Sequence, residues 1–384
     1  MEAESIPMTE TVFKRAVLIL EDGSTYVGYG FGASTKVVGE VVFSTSMVGY
    51  TEALTDPSYM GQILLFTYPL IGNYGVPSLG LVDEYNIPLH FESFGIKVSG
   101  VIISDLCTMP SHWASSKSFN EWLLENGVPG IFGVDTRSIT KKLRSKGVMM
   151  GLLYVFDECV SVDPGKLFEE LKCSTNPIES NLVEKVSIKE PVSYHIGSDK
   201  NVVVIDCGVK LSIIRNLLRR GVNVIRVPYN FPFEDILSYK PHGVLISNGP
   251  GDPALLTETI ATVREIVDSG IPTFGICLGN QILALALGGS TYKLKYGHRS
   301  QNQPVLNIEN NTCFITSQNH GFAVDASSLK DTKLKVWYVN ANDGTVEGIR
   351  HVEKDAFSVQ WHPEGSPGPL DTCFLFDVFI RMLR

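Results

Sequence analysis

Cys277 stands between Gly275 and Gly279 in FGICLGNQ, residues 274–281, with the apolar run TFGI leading into it and the helix-like QILALALGG following. Strand, sharp turn and helix in that order form the elbow that lifts a nucleophile out of a sheet. Glycines beside the turn relax its steric limits, and the positive end of the next helix favours a thiolate, the reactive form of cysteine. The alternative for a cysteine in an apolar segment is a small packing residue. A sulfur attacking a carbonyl also needs a base and a group that orients it, and Trp361-His362-Pro363-Glu364 offers both in a chain with eight histidines. In extended backbone His362 and Glu364 point to the same side, so the carboxylate can steady the imidazole while Pro363 stiffens the spacing. A surface loop with an incidental histidine and glutamate is the plainer reading. A third element is VLISNGPGDP, residues 244–253, an apolar strand whose loop holds Gly249 and Gly251. Bare backbone N–H groups there can approach a ligand and hold an oxyanion, although a GPG turn also serves simple chain reversal.

The elements that position these residues follow from period and punctuation. From Asn201, VVVIDCG, LSIIRNLLRRG, VNVIRVP, GVLISNGPG, a helical stretch beginning near Leu256, and TFGI alternate strand with helix, as a doubly wound parallel sheet requires. Ligands sit at the carboxyl ends of such strands, which puts the GPG loop and the Cys277 elbow on one rim. Beyond Tyr292, shorter alternating segments predict antiparallel additions that bring Asn319 and His362 to that rim. Leu375, Val378, Phe379 and Met382 recur at helical spacing and predict a closing amphipathic helix. At the other end, AVLILEDGSTYVGYGFG reads as a hairpin around Asp22-Gly23, and GEVVFSTS extends a β-rich opening. SKSFNEWLLENG and RSITKKLRSKG read as short helices. The fold class is therefore α/β. Residues 1–155 form a β-rich α/β domain, residues 156–199 with Pro164, Pro177 and Pro191 form a connecting segment holding one helix, and residues 200–384 form the doubly wound domain.

Composition sets further bounds. With 384 residues and 44% hydrophobic content, two domains can each bury a core. The net charge of −9, without a basic tract, gives no attraction for nucleic acid or an anionic membrane. Seven cysteines, odd in number and without CxxC or His/Cys ligand spacing, indicate a reducing compartment and no structural metal. Cys107, Cys159, Cys173, Cys207, Cys313 and Cys373 read as packing residues. The opening MEAESIPMTETVFKR is polar with three glutamates, unlike a signal or transit peptide, so the expected location is cytoplasmic. The longest apolar stretches are too short to span a bilayer. Gly28, Gly30 and Gly32 lie in a strand-like segment with no lysine at Walker spacing, so they are not read as a phosphate loop.

NGPGDP, GICLGNQ, SQNHGFAV and QWHPE, in this order, resemble the class I (triad) glutamine amidotransferases. EDGSTYVGYGFG, GEVVFSTSMVGYTEALTDPSY, TYPLIGNYG, GVDTRSITKKLR and VIDCGVK resemble the small subunit, or fused glutaminase region, of carbamoyl-phosphate synthetase, and the two sets cover nearly the whole chain. PSHWASSKSFNEWL and TYPLIGNYGVP look most like the eukaryotic pyrimidine-pathway version. The resemblance implies that Cys277 attacks the side-chain carboxamide of L-glutamine and forms a glutamyl thioester, with His362 moving protons and Glu364 orienting His362. It implies an oxyanion held by the amides of Gly249 and Leu278. It places glutamine against Ser58, Gly249, Gly251, Leu278, Gln281, Asn319, Gly321 and Phe322. Gln281 and Asn319 offer donor and acceptor and Ser58 a hydroxyl, though each could also be a plain helix-start or turn residue. Many members carry histidine where this chain has Asn280; because nucleophile, base and carboxylate are all present, activity is expected to survive that departure. The resemblance further implies no cofactor in this chain, with ATP, magnesium and bicarbonate on a synthetase large subunit or fused domain. The N-terminal domain would dock that partner, which would receive ammonia and make carbamoyl phosphate for pyrimidine or arginine synthesis. Two rivals stand beside this reading: a stand-alone γ-glutamyl hydrolase, against which the N-terminal domain counts, and a catalytically silent interaction subunit, against which Cys277 counts.

Overall fold

The computed structural model describes residues 14–383, so all but the end of the polar opening stretch lies outside the described residues. The first body is a closed barrel. Its strands run, in order around the barrel, Lys14–Leu20, Met149–Phe156, Lys36–Ser44, Gln62–Phe66, Gly100–Ile102, Pro129–Phe132 and Thr25–Gly32. The hairpin expected around Asp22-Gly23 is present, with Val17 opposite Val27. AVLIL is apolar at every position because both of its faces are covered. Ala16, Leu18 and Leu20 join one core with Ile63, Leu65 and Ile131, whereas Val17 and Ile19 meet Leu167 and Leu171 of the helix Pro164–Lys172. The helix Phe119–Glu125 starts at Ser118 through a capping box with Glu121. Thr136–Lys146 is helical as expected, and Tyr50–Thr55 adds a further short helix.

The second body is a ten-stranded sheet. Its order is Val192–Tyr194, Asn223–Pro228, Asn201–Asp206, Gly243–Ile246, Thr273–Ile276, Ala356–Val359, Val346–His351, Thr312–Val324, Thr291–Asn307 and Leu334–Asn340. The five strands from Asn223–Pro228 to Ala356–Val359 are parallel to their neighbours. Helices Leu211–Arg219 and Phe374–Met382 cover one face, with Ile213, Leu217, Phe376 and Phe379 in its core. Helices Thr257–Asp268 and Leu278–Ala286 cover the other, with Val263, Ile266, Ile282 and Leu283.

Three expectations need correction. The connecting segment contributes more than a helix: Val192–Tyr194 is an antiparallel edge strand of the second sheet, and Pro164–Lys172 packs on the barrel. The additions beyond Tyr292 are long rather than short, Thr291–Asn307 and Thr312–Val324, because bulges near His298 and Ser300 absorb residues that break the alternation. The six other cysteines are not all packing residues: Cys207 is buried, Cys107 and Cys373 are half-buried, and Cys159, Cys173 and Cys313 are exposed.

The two bodies are joined through charged and polar contacts. Lys210 precedes the helix Leu211–Arg219 without capping it, and the cap comes from the barrel body instead. Glu92 Oε2 accepts from Ser212 N at 3.2 Å and from Ser212 Oγ at 2.6 Å, satisfying helix-start donors that would otherwise be orphaned. Arg215 on the same helix donates to Asp83 Oδ2 at 2.6 Å. Glu92→Ala is expected to lower the unfolding free energy by about 1–2 kcal/mol in urea titrations, the usual worth of a lost cap; an unchanged midpoint would show that this junction does not depend on the cap.

Candidate active site

Strand Thr273–Ile276 ends at Cys277, and helix Leu278–Ala286 starts immediately after it. The strain of the elbow sits on the cysteine itself, which holds φ 55°, a left-handed conformation costly for a residue with a Cβ. The flanking glycines serve a different purpose from the one expected. Neither has a positive φ. A Cβ on Gly275 would lie 2.5 Å from Gly279 O, and one on Gly279 would lie 2.2 Å from Ile246 O. They allow the helix to press onto the adjacent strand, and that close approach holds the strained turn.

Cys277 is buried, its Sγ 3.6 Å from Asn319 O. His362 Nδ1 contacts Glu364 Oε1 at 2.6 Å. That pair forms in a turn closed by Gly365 N to His362 O at 3.2 Å, not in extended backbone, so the two-residue spacing works for a different geometric reason than the expected one. The outer nitrogen, Nε2, is buried and makes no hydrogen bond. Lys210 completes the array, with Nζ 2.9 Å from Glu364 Oε1 and both side chains almost fully buried. Burial alone would push Glu364 up, but Lys210 and then His362 outweigh it and hold the carboxyl at about 2. Burial opposes the charged form of His362, and Glu364, helped by the Cys277 sulfur, overrides it and raises the imidazole to about 10. Lys210 is raised in turn, burial being outweighed by Glu364, Glu92 and Asp56. The array is thus an acceptor, a proton carrier and a thiol in fixed order.

A cleft opens on Cys277, and its lining includes Ser58, Gly249, Gly251, Leu278, Gln281, Asn319, Gly321 and Phe322. All eight residues tied to substrate by sequence therefore meet at one place. Gly249 sits so close to the neighbouring strand that a Cβ would be 2.0 Å from Cys207 O. Among the described residues, the amides of Gly249 and Leu278 have no hydrogen-bond partner. Ser58 Oγ accepts from Asn248 Nδ2 at 3.0 Å, and Asn319 Nδ2 donates to Asp56 Oδ2 at 2.9 Å, so these two residues lock barrel to sheet as well as facing the cleft.

Sequence reasoning missed three residues here. Lys210 lay in VIDCGVK, where a lysine after a strand gives no hint of burial. Gln360, beside the base, donates toward Cys277 Sγ at 3.8 Å. Arg299 lines the cleft, is buried, and has an Nε without a partner; burial disfavours its charged form. A group of potential metal ligands that no local spacing reveals also comes together, His298, His320 and Glu347. These side chains form a polar network: His298 Nε2 lies 2.9 Å from Asp343 Oδ2, Gln318 Nε2 donates to Glu347 Oε2 at 3.0 Å, and His320 Nδ1 meets Phe322 O at 2.8 Å. Burial holds His320 well below the ordinary histidine range, and its ring lies between Phe322 O and Gln318 Oε1.

Comparison with known proteins places both bodies. Residues 203–382 match the family model for glutamine amidotransferase class-I, and residues 18–153 match that for the carbamoyl-phosphate synthase small chain, CPSase domain. A carbamoyl phosphate synthase small chain from Pyrococcus furiosus is 48% identical over 97% of this chain and 99% of its own length. The arginine-specific small chain of Saccharomyces cerevisiae is 46% identical over 95% of this chain and 88% of its own. The multifunctional protein ura1 of Schizosaccharomyces pombe is 46% identical over 97% of this chain, which corresponds to 17% of that longer protein. Among the described residues, no helix is long and apolar enough to cross a membrane.

The charge array has a pH consequence. Because the folded-state value of Glu364 lies below its ordinary 4.5, its pairing adds stability that is complete above that value and is lost as pH falls toward about 2. In urea unfolding followed across this acid range, wild type should lose stability more steeply than Glu364→Gln; parallel curves would mean that Glu364 is not held ionised.

Proposed function

The chain belongs to the carbamoyl phosphate synthase small-chain family, and from that premise we propose that its cleft hydrolyses L-glutamine through a Cys277 glutamyl thioester and hands the ammonia to a synthetase partner. The observation that carries the chemistry is a strained cysteine at the start of a helix, on a cleft lined by donors suited to an amino acid, with a buried His362–Glu364 pair whose imidazole feels its sulfur. The carboxamide of glutamine lies over Cys277, with its oxygen toward the free amides of Gly249 and Leu278. With the imidazole raised to about 10, the proton already rests on His362 and the Cys277 sulfur attacks the carbonyl carbon as a thiolate. As the tetrahedral adduct collapses, the C–N bond breaks and the imidazolium returns the proton to the departing nitrogen, releasing ammonia. Water then attacks the thioester with His362 as base, the C–S bond breaks, and glutamate leaves. Glu364, held ionised by Lys210, keeps the imidazole oriented through both steps.

At the other end of the substrate, Arg299 supplies the positive charge that a zwitterion's carboxylate needs. The likeness to the arginine-specific chain and to the multifunctional one is equal at 46%, so it assigns no pathway. We place ATP, magnesium and bicarbonate on the partner. Exposed Met47, Val48 and Trp113 on the barrel body, beside a groove lined by Gly49 and Pro367, offer that partner an apolar docking face. Gly49 and Pro367 also line a polar cavity that reaches His362, so docking there abuts the catalytic array.

Glutamate release should fall by about a thousandfold or more in Cys277→Ser and should rise in wild type when a carbamoyl phosphate synthase large chain is added. Cleavage of γ-glutamyl peptides in place of glutamine would instead establish a stand-alone hydrolase. Arg299→Leu should raise KM for glutamine with little change in kcat; an unchanged KM would remove Arg299 from the carboxylate subsite.

A further inference from the structure

Three side-chain amides and a hydroxyl form a chain beneath Cys277. Gln281 Nε2 donates to Phe322 O at 2.9 Å and to Gln360 Oε1 at 3.2 Å. Asn280 Nδ2 donates to the same Gln360 Oε1 at 3.0 Å, and Ser358 Oγ donates to Asn280 Oδ1 at 2.9 Å. Gln360 Nε2 then faces Cys277 Sγ at 3.8 Å. Asn280, Ser358 and Gln360 are fully buried, and Gln281, nearly so, is the member that borders the cleft.

The direction of this chain follows from one group. A backbone carbonyl can only accept, so Phe322 O obliges Gln281 to present its nitrogen on that side. The same nitrogen faces Gln360, which must therefore present its oxygen. With the oxygen committed, the Gln360 amide has its nitrogen left for the sulfur. Asn280 adds a second donor to the same Gln360 oxygen, while the Ser358 hydroxyl, able to donate or accept, meets its own oxygen. A flipped Gln360 would oppose its nitrogen to those of Gln281 and Asn280, and a flipped Asn280 would oppose its oxygen to that of Gln360.

We propose that this polarised chain aims the Gln360 Nε2–H at Cys277 Sγ and favours the thiolate, with Asn280 as the positioning residue that keeps Gln360 from turning over. Hydrogen bonding to the charged form of a group favours that form, and the thiolate is the form that attacks. The other charged groups acting on this sulfur are His362 and Arg299, from the two flanking segments, and neither is altered by the changes described next. The proposal rests on Cys277 being the nucleophile. It also gives Asn280 a physical role, that of a donor toward Gln360.

The test is the pH profile of Cys277 alkylation by iodoacetamide, followed by mass spectrometry of the full chain, with thermal unfolding recorded alongside. Gln360→Leu should react about tenfold more slowly at neutral pH, with its profile displaced to higher pH. Asn280→Asp, which keeps the shape but sets an acceptor against the Gln360 oxygen, should move the profile the same way, because the Gln360 amide is then driven from the orientation that Gln281 alone still favours. Asn280→His restores a donor and should return the profile toward wild type. A profile that stays in place in Asn280→Asp, even with a lowered unfolding temperature, overturns the proposal, as does an Asn280→His profile displaced as far as that of the aspartate. Alkylation reads the sulfur alone, so these outcomes stand apart from whether glutamine is turned over.

Discussion

The charge on Lys210 is the interaction on which the site depends. It is buried where the two bodies meet, and it is the cation that keeps Glu364 ionised in a place where burial alone would neutralise it. An isolated buried ion pair contributes little net stability once desolvation is counted. This one is instead part of a set: Glu92 and Asp56 from the barrel body also act on Lys210, and Glu364 passes the effect to His362. The imidazole proposed as the base is therefore tuned by residues of both bodies. A protein built this way cannot separate its two halves without changing the proton affinity of its imidazole.

Steric closeness supplies the second constraint. The helix after Cys277 lies against the neighbouring strand so tightly that Gly279 and Gly275 leave no room for a side chain. That pressure is what a cysteine at φ 55° requires, because a strained residue persists only where its surroundings over-determine it. The same closeness at Gly249 leaves its amide bare at the edge of the cleft. Strain, bare amides and the start of a helix are one packing solution seen from three sides.

What could be read from the chain alone was whatever depends on local order. The strand, elbow and helix around Cys277, the hairpin at Asp22-Gly23 and the alternation from Asn201 onward are signals carried by neighbouring residues, and they lie where expected. The lining of the cleft was legible through motif likeness, because glycine and amide side chains reveal their neighbours only in a known pattern. Lys210, Gln360 and Arg299 were not legible, for a common reason. Each acts through a partner far away in sequence, Lys210 through Glu364 and Gln360 through Cys277, and burial of a long polar side chain is invisible in a local window. The long bulged strands Thr291–Asn307 and Thr312–Val324 escaped for a related reason, since residues absorbed by a bulge break the alternation that announces a strand.

The placement of the substrate cleft across the body boundary also explains how a docked partner could govern the chemistry. Ser58 reaches the cleft from the barrel body, yet its hydroxyl is fixed by Asn248 of the sheet, and Asn319 is fixed in return by Asp56. The same short barrel segment carries Glu52, whose carboxyl is raised by burial to about 7 and which feels both Glu92 and Lys210. A force applied to the exposed Met47 and Val48 acts on residues only a helix turn from Glu52 and on the loop leading to Ser58. A displacement there must alter either the grip on Asn319 or the field at Lys210. Rigid contacts of this kind have few intermediate arrangements, so a partner that favours one arrangement of the barrel segment selects one state of the triad as well.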